Sequence, residues 1–168
     1  MGQSVTKCLY LLKLWKRNTN MLNLNGSFPS TLDPKGRVKL PSALLRQFQE
    51  GTSEFMLVQG LDTCVRLFTP QSWDAYTEPI RNLSDFNPEA RVLKQLMLSG
   101  NNKVELDSAD RILIPKMLIE KGKLEKDLKI VCLFDKVEIW DARLHEEKFG
   151  DFSSSDLSAL AAKLLGNI

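Results

Sequence analysis

The side chains best suited to chemistry are cations crowded into one short bend. The run Asp33-Pro34-Lys35-Gly36-Arg37-Val38-Lys39-Leu40-Pro41 carries Lys35, Arg37 and Lys39 within five residues. Such groups suit an anionic polymer: lysine engages phosphate, and the arginine fork fits guanine O6 and N7. Asp33-Pro34-Lys35-Gly36 has the signature of a type I turn, with Asp accepting backbone N–H bonds and Pro presetting φ. Asp33 therefore reads as a loop-structuring anchor rather than a catalytic acid. Gly36, at the fourth position, tolerates the backbone that follows.

The bend recurs 74 residues later as Asp107-Ser108-Ala109-Asp110-Arg111-Ile112-Leu113-Ile114-Pro115. Asp, Arg, two alternating aliphatics and Pro return in register, and Asp107 takes the anchoring place of Asp33. The fields differ. From Asn25 to Pro41 three cations face one anion, a net +2, whereas from Ser99 to Pro115 two cations face three anions, a net −1. The first copy suits phosphates better, so Lys35, Gly36, Arg37 and Lys39 form the leading DNA-binding set and Arg111 ranks below them. A structural alternative stands beside this: Arg37 and Arg111 pair with Asp33 and Asp107 simply to fix the loops.

Other chemistries find little support. There is one histidine, His145, in a helical stretch beside Glu146 and Glu147, and it reads as an exposed helical residue. Cys8, Cys64 and Cys132 are three and lack any C-x-x-C spacing, which argues against a disulfide framework, a Cys/His zinc site and a bound metal. No nucleophile, base and orienting group occur together, so no enzyme activity and no cofactor are expected.

The elements that must position the bend follow from periodicity. Hydrophobic content of 43% and charged content of 26% over 168 residues fit a globular chain able to bury a core. The formal charge is +2, yet without Lys7, Lys13, Lys16 and Arg17 it becomes 19 minus 21, or −2, so a nucleic-acid role cannot rest on bulk charge and would need a local cationic patch. Residues 1–20 are basic and apolar but too charged for a signal peptide or a span; they read as a non-native or disordered extension, with Met21 as the start. After each bend come a short helix, an apolar run, a turn and an alternating strand, at residues 55–68 and 128–140. Gly51 and Gly122 suit the ends of the short helices, and Thr69, Asn87 and Asp141 suit helix starts. Ala90, Leu93, Leu96 and Met97 form a helical stripe that needs a partner surface. A last amphipathic helix carries Leu157, Leu160, Ala161, Leu164 and Leu165, with Gly166 as its stop.

The string Thr31-Leu32-Asp33-Pro34-Lys35-Gly36-Arg37-Val38-Lys39-Leu40-Pro41 and its second copy resemble the MraZ family, bacterial transcriptional regulators with tandem SpoVT/AbrB-like domains. Asp33, Gly36 and Arg37 match the family's D-x-x-G-R; the second copy departs from it at Asp110, and aspartate tolerates the left-handed backbone a glycine would supply. The resemblance implies an α+β, mainly β fold: a pseudo-symmetric, swapped-hairpin AbrB-like barrel from two tandem repeats with flanking helices. Its parts would be domain 1 at 27–74, a helical connector at 75–100, domain 2 at 101–144 and a helical tail at 145–168. It implies a repressor of the division and cell-wall gene cluster, a homo-oligomer ring binding double-stranded DNA at promoter direct repeats. Such a protein would be cytoplasmic and nucleoid-associated, without membrane contact. The competing class is an oligomeric protein-interaction module of the same fold with no direct DNA role.

Overall fold

The computed structural model describes residues 22–166. The basic extension at 1–20 and Met21 lie outside the described residues. Eight strands and six helices are present among those described. The first repeat supplies β1 (Ser27–Thr31), β2 (Arg37–Lys39), α1 (Ser42–Leu45), β3 (Glu54–Gln59), β4 (Val65–Phe68) and α2 (Pro70–Arg81). After α3 (Pro88–Leu98) the second repeat gives β5 (Asn102–Glu105), β6 (Arg111–Leu113), α4 (Lys116–Gly122), β7 (Asp127–Leu133), β8 (Lys136–Asp141) and α5 (Ala142–Phe149). The terminal helix is α6 (Ser154–Leu165).

The strands form a six-stranded antiparallel sheet in the order β1-β7-β8-β4-β3-β5, and a separate two-stranded ribbon, β2-β6. The order reads the same under exchange of the repeats. Each repeat lends its first strand to the other: β1 pairs with β7 and β5 pairs with β3. The joint at the centre of the sheet is β4 against β8. Neither repeat completes its sheet alone, which fits units too short to close a core.

Alternation decides which faces are buried. In β7 Leu128, Ile130 and Cys132 turn inward while Asp127 and Leu133 face out. One core takes side chains from both repeats: Val38, Leu40, Leu44, Phe55, Leu57, Val65 and Leu67 from the first, Ile112, Ile114, Leu118, Leu128, Ile130, Val137 and Ile139 from the second. Each fully buried aliphatic contributes on the order of 1.5–3 kcal/mol. The central strands are covered on both sides. Trp73 and Tyr76 of α2 pack on Phe68 of β4, with ring centroids of Phe68 and Trp73 5.4 Å apart. Trp140, His145 and Phe149 form the matching cover over β8.

The helix starts sit where the sequence places them. Thr69, Asn87 and Asp141 are N-caps whose side chains accept N–H bonds from the first turn, with Pro70 and Pro88 just inside. Three expected details are corrected. The helix after Pro41 stops at Leu45 rather than running to Gly51, and Phe48 turns in against Phe55, 5.1 Å between centroids. After α4 the left-handed residue is Lys123, φ 48°, not Gly122. Gly122 is needed for closeness instead, since a Cβ there would lie 3.1 Å from Val65 Cγ2. His145, expected to be exposed, is half-buried between Trp140 and Phe149, and its Nδ1 has no partner among the described residues. Burial and the nearby Lys129 push its imidazole below the ordinary value.

Candidate functional site

Both bends fold into the same hydrogen-bonded turn. Asp33 Oδ1 accepts from the N–H groups of Lys35 and Arg37, each at 2.9 Å, and its Oδ2 accepts from Arg37 Nε at 2.7 Å. Gly36 N–H closes the turn onto the Asp33 carbonyl at 2.9 Å. In the second copy Asp107 Oδ1 accepts from Ala109 and Arg111 N–H, each at 2.9 Å, and Oδ2 from Arg111 Nε at 2.8 Å. Asp110 N–H again closes onto the Asp107 carbonyl, at 3.1 Å. Gly36 has φ 81° and Asp110 has φ 60°, so aspartate occupies the left-handed position that glycine holds in the first copy.

Charge follows from these bonds. The N–H of Arg37 does most to hold the Asp33 carboxyl below the usual carboxylate range; partial desolvation opposes it, and the Arg37 side chain and Lys35 N–H assist. For Asp107 desolvation pushes upward, but the N–H groups of Arg111 and Ala109 outweigh it and the carboxyl also lies low. Each arginine is thus tied by its Nε. Among the described residues neither arginine's terminal Nη atoms donate to a protein acceptor at hydrogen-bond distance, so this end of the fork stays available.

The two turns are not separate surfaces. In the ribbon Arg37 lies opposite Leu113, Val38 opposite Ile112, and Lys39 opposite Arg111. Val38 and Ile112 are wholly buried. Directly opposed residues share a face and neighbours alternate, so Arg37, Lys39, Arg111 and Leu113 all lie on the outer face. Each turn is locked to the other repeat: Ile114 N–H donates to the Gly36 carbonyl at 2.9 Å, and Leu40 N–H to the Asp110 carbonyl at 2.8 Å. Lys35 is exposed at the tip of the first turn. Four cations, Lys35, Arg37, Lys39 and Arg111, therefore stand with three anions, Asp33, Asp107 and Asp110, a net +1 for the combined face.

The structure thus brings Arg111 beside Lys39, whereas sequence reasoning weighed the two bends apart. It also adds Leu113, which the sequence did not single out. A signal was available: Leu113 stands 74 residues after Lys39, at the same outward position of its copy. Among the described residues no group of three His, Cys, Asp or Glu side chains is placed to hold a metal ion. No helix there is long and apolar enough to cross a membrane.

Comparison with known proteins agrees with the twofold repeat. Residues 24–96 and 97–168 each match the family described as "MraZ protein, putative antitoxin-like". A "Transcriptional regulator MraZ" from Cytophaga hutchinsonii is 34% identical over 142 residues, covering 84% of this chain and 93% of that protein. One from Ureaplasma urealyticum is 37% identical over 145 residues, covering 84% and 97%. A third, from Acetivibrio thermocellus, is 35% identical over 131 residues, covering 77% and 89%. With both repeats matched and nearly the full length of each relative aligned, the chain belongs to the MraZ family.

Proposed function

We propose that this protein is a sequence-specific, DNA-binding transcriptional regulator, a repressor acting at promoter direct repeats of the division and cell-wall gene cluster, in the cytoplasm on the nucleoid. The observation that carries the reading is the ribbon, which gathers Arg37, Lys39 and Arg111 on one outer face with Lys35 at its edge. A two-stranded ribbon fits the major groove. Arginines held through Nε keep their Nη pair for another acceptor, and that pair suits guanine O6 and N7. Lys35 and Lys39 serve phosphates. The relatives named transcriptional regulators support the same class.

A single ribbon is a weak reader. Two phosphate contacts, from Lys35 and Lys39, would give a salt slope of only about −1.8 per protomer. Linked protomers raise affinity by roughly 10²–10⁴, so a ring of subunits meeting head to tail is part of the proposal. Exposed leucines support self-assembly: Leu157, Leu160, Leu164 and Leu165 on α6 and Leu96 on α3. We read the exchanged strands as a swapped-hairpin barrel closed by the ribbon. The edge strand β1 runs close to β2, through the Leu32–Val38 bridge and Ser30 Oγ donating to the Lys39 carbonyl at 2.9 Å.

The test is Arg37→Ala. The variant should keep its fold, and specific binding should weaken by about 1–3 kcal/mol. Unchanged operator affinity would refute the assignment. The same exposed leucines favour a second reading, a ring that binds a protein partner through α3 and α6 without DNA. Binding measured against salt separates the two, since only the DNA reader loses affinity steeply as salt rises.

A further inference from the structure

We propose that Leu113 is a specificity-determining residue of the ribbon: it contacts the methyl group of a thymine next to the base pair that Arg37 engages. This rests on the DNA-binding reading above. Leu113 lies directly across the ribbon from Arg37. Its neighbour Ile112 is wholly buried, so Leu113 is turned outward, and it is 57% exposed. It is an apolar side chain on a face otherwise made of charged groups. A Cβ built on Gly36 would lie 3.9 Å from Leu113 Cδ1, so the leucine rests beside the glycine of the first turn. In the other repeat the same outward position is Lys39.

The chemistry that fits such a residue is narrow. On the base edges in the major groove the thymine methyl is the apolar group that projects, where cytosine offers only a C5–H, and the remaining recognition features are hydrogen-bond donors and acceptors. Opposed side chains on a ribbon stand about 5 Å apart. Successive bases on one strand rise about 3.4 Å. An arginine and a leucine so placed reach neighbouring base pairs, the first through its fork and the second through a methyl contact. A lysine at this position, as at residue 39, would give affinity for phosphate and no such discrimination.

The experiment uses the full chain and DNA selected by it from a random pool. Each thymine of the selected site is replaced in turn by deoxyuridine, which lacks only the methyl group, and affinity is read by fluorescence anisotropy. The wild type is expected to lose about fourfold at one thymine, the equivalent of one buried methyl. Leu113→Ala should bind the thymine site weaker by a similar factor and respond no further to uracil there. The inference is overturned if no thymine matters to the wild type, or if Leu113→Ala keeps the full response. It is also overturned if Leu113→Ala changes the mass of the assembly, because the leucine would then cover a second copy rather than DNA. Arg37→Ala serves as the reference. Lost binding by Arg37→Ala together with an unaltered uracil response in Leu113→Ala removes this inference alone. Wild-type behaviour by both variants removes the ribbon as the DNA interface altogether.

Discussion

Replacement of Arg66 by methionine tests how the two repeats are joined. Arg66 and Glu138 are Cα partners in the β4–β8 ladder at the centre of the sheet. Their side chains are only 11% and 8% exposed and meet at 2.9 Å. Arg66 Nη1 also donates to Tyr76 Oη at 3.1 Å, and Trp140 Nε1 donates to Glu138 Oε2 at 2.9 Å. Arg66→Met leaves the Glu138 carboxylate buried with the indole as its remaining partner. Breaking a buried pair in this way costs about 3–5 kcal/mol. For a chain of this size each kcal/mol lowers Tm by about 2–4 °C, so a fall of about 6–20 °C is expected. The double variant Arg66→Met with Glu138→Leu removes the stranded charge. What remains is the Trp140 N–H, in a side chain that is 1% exposed, left without its acceptor at a cost of about 1–3 kcal/mol. The double variant should therefore be more stable than Arg66→Met alone. Urea denaturation at one fixed protomer concentration reads this, since stability becomes concentration-dependent wherever protomers associate. If the double variant is as unstable as the sum of the two single ones, the pair is not coupled and the account of the joint is wrong.

Two further outcomes follow from the turns. Gly36→Ala should cost about 1–2 kcal/mol, because φ is 81° and the new Cβ would sit 3.2 Å from Ile119 Cδ1. Asp110→Gly, at the equivalent place with φ 60°, should shift stability by less than about 0.5 kcal/mol; urea midpoints of the two variants that move equally would contradict this. The Asp33 and Asp107 carboxyls, held below the ordinary 3.8, stabilise the turns fully above that value. This support is lost only as pH falls through their lower folded values. Carboxyl-carbon NMR titration should place both midpoints under 3.8, and a midpoint at or above it would show that the N–H bonds to the carboxylates are absent in solution.

Local chemistry was legible in the sequence where a residue acts on its own neighbours. The Asp-Pro-x-Gly turn, the capping roles of Thr69, Asn87 and Asp141, and the alternation of the strands each need only a few adjacent residues to specify them. Details set by distant packing were not. The short helix after Pro41 stops at Leu45 while Phe48 packs on Phe55 from β3, and Gly122 is kept small by Val65 rather than by a helix end. The ribbon is the largest case. Each of its strands is three residues long, and the pairing joins segments more than seventy positions apart. No periodicity within either segment tells which residue faces which. The sequence alone therefore ranks Arg111 by the charge of its own bend and does not place Leu113 beside Arg37.

On the proposed reading, the strand pairing decides what kind of DNA site the ribbon face would read. The backbone of the ribbon is twofold: each turn has the same hydrogen bonds and locks onto the opposite strand in the same way. A face with twofold side chains as well would favour an inverted repeat within one protomer's footprint. The side chains break that symmetry at each exposed position that matters. Lys35 corresponds to Ala109, Gly36 to Asp110, and Lys39 to Leu113, so one end is cationic with an apolar neighbour and the other carries an extra anion. Only Arg37 and Arg111, with their anchoring aspartates, are common to both ends. On the proposed reading each protomer therefore has a direction along the duplex. Identical directional readers joined head to tail demand sites that repeat in one orientation, which is the arrangement a direct repeat supplies.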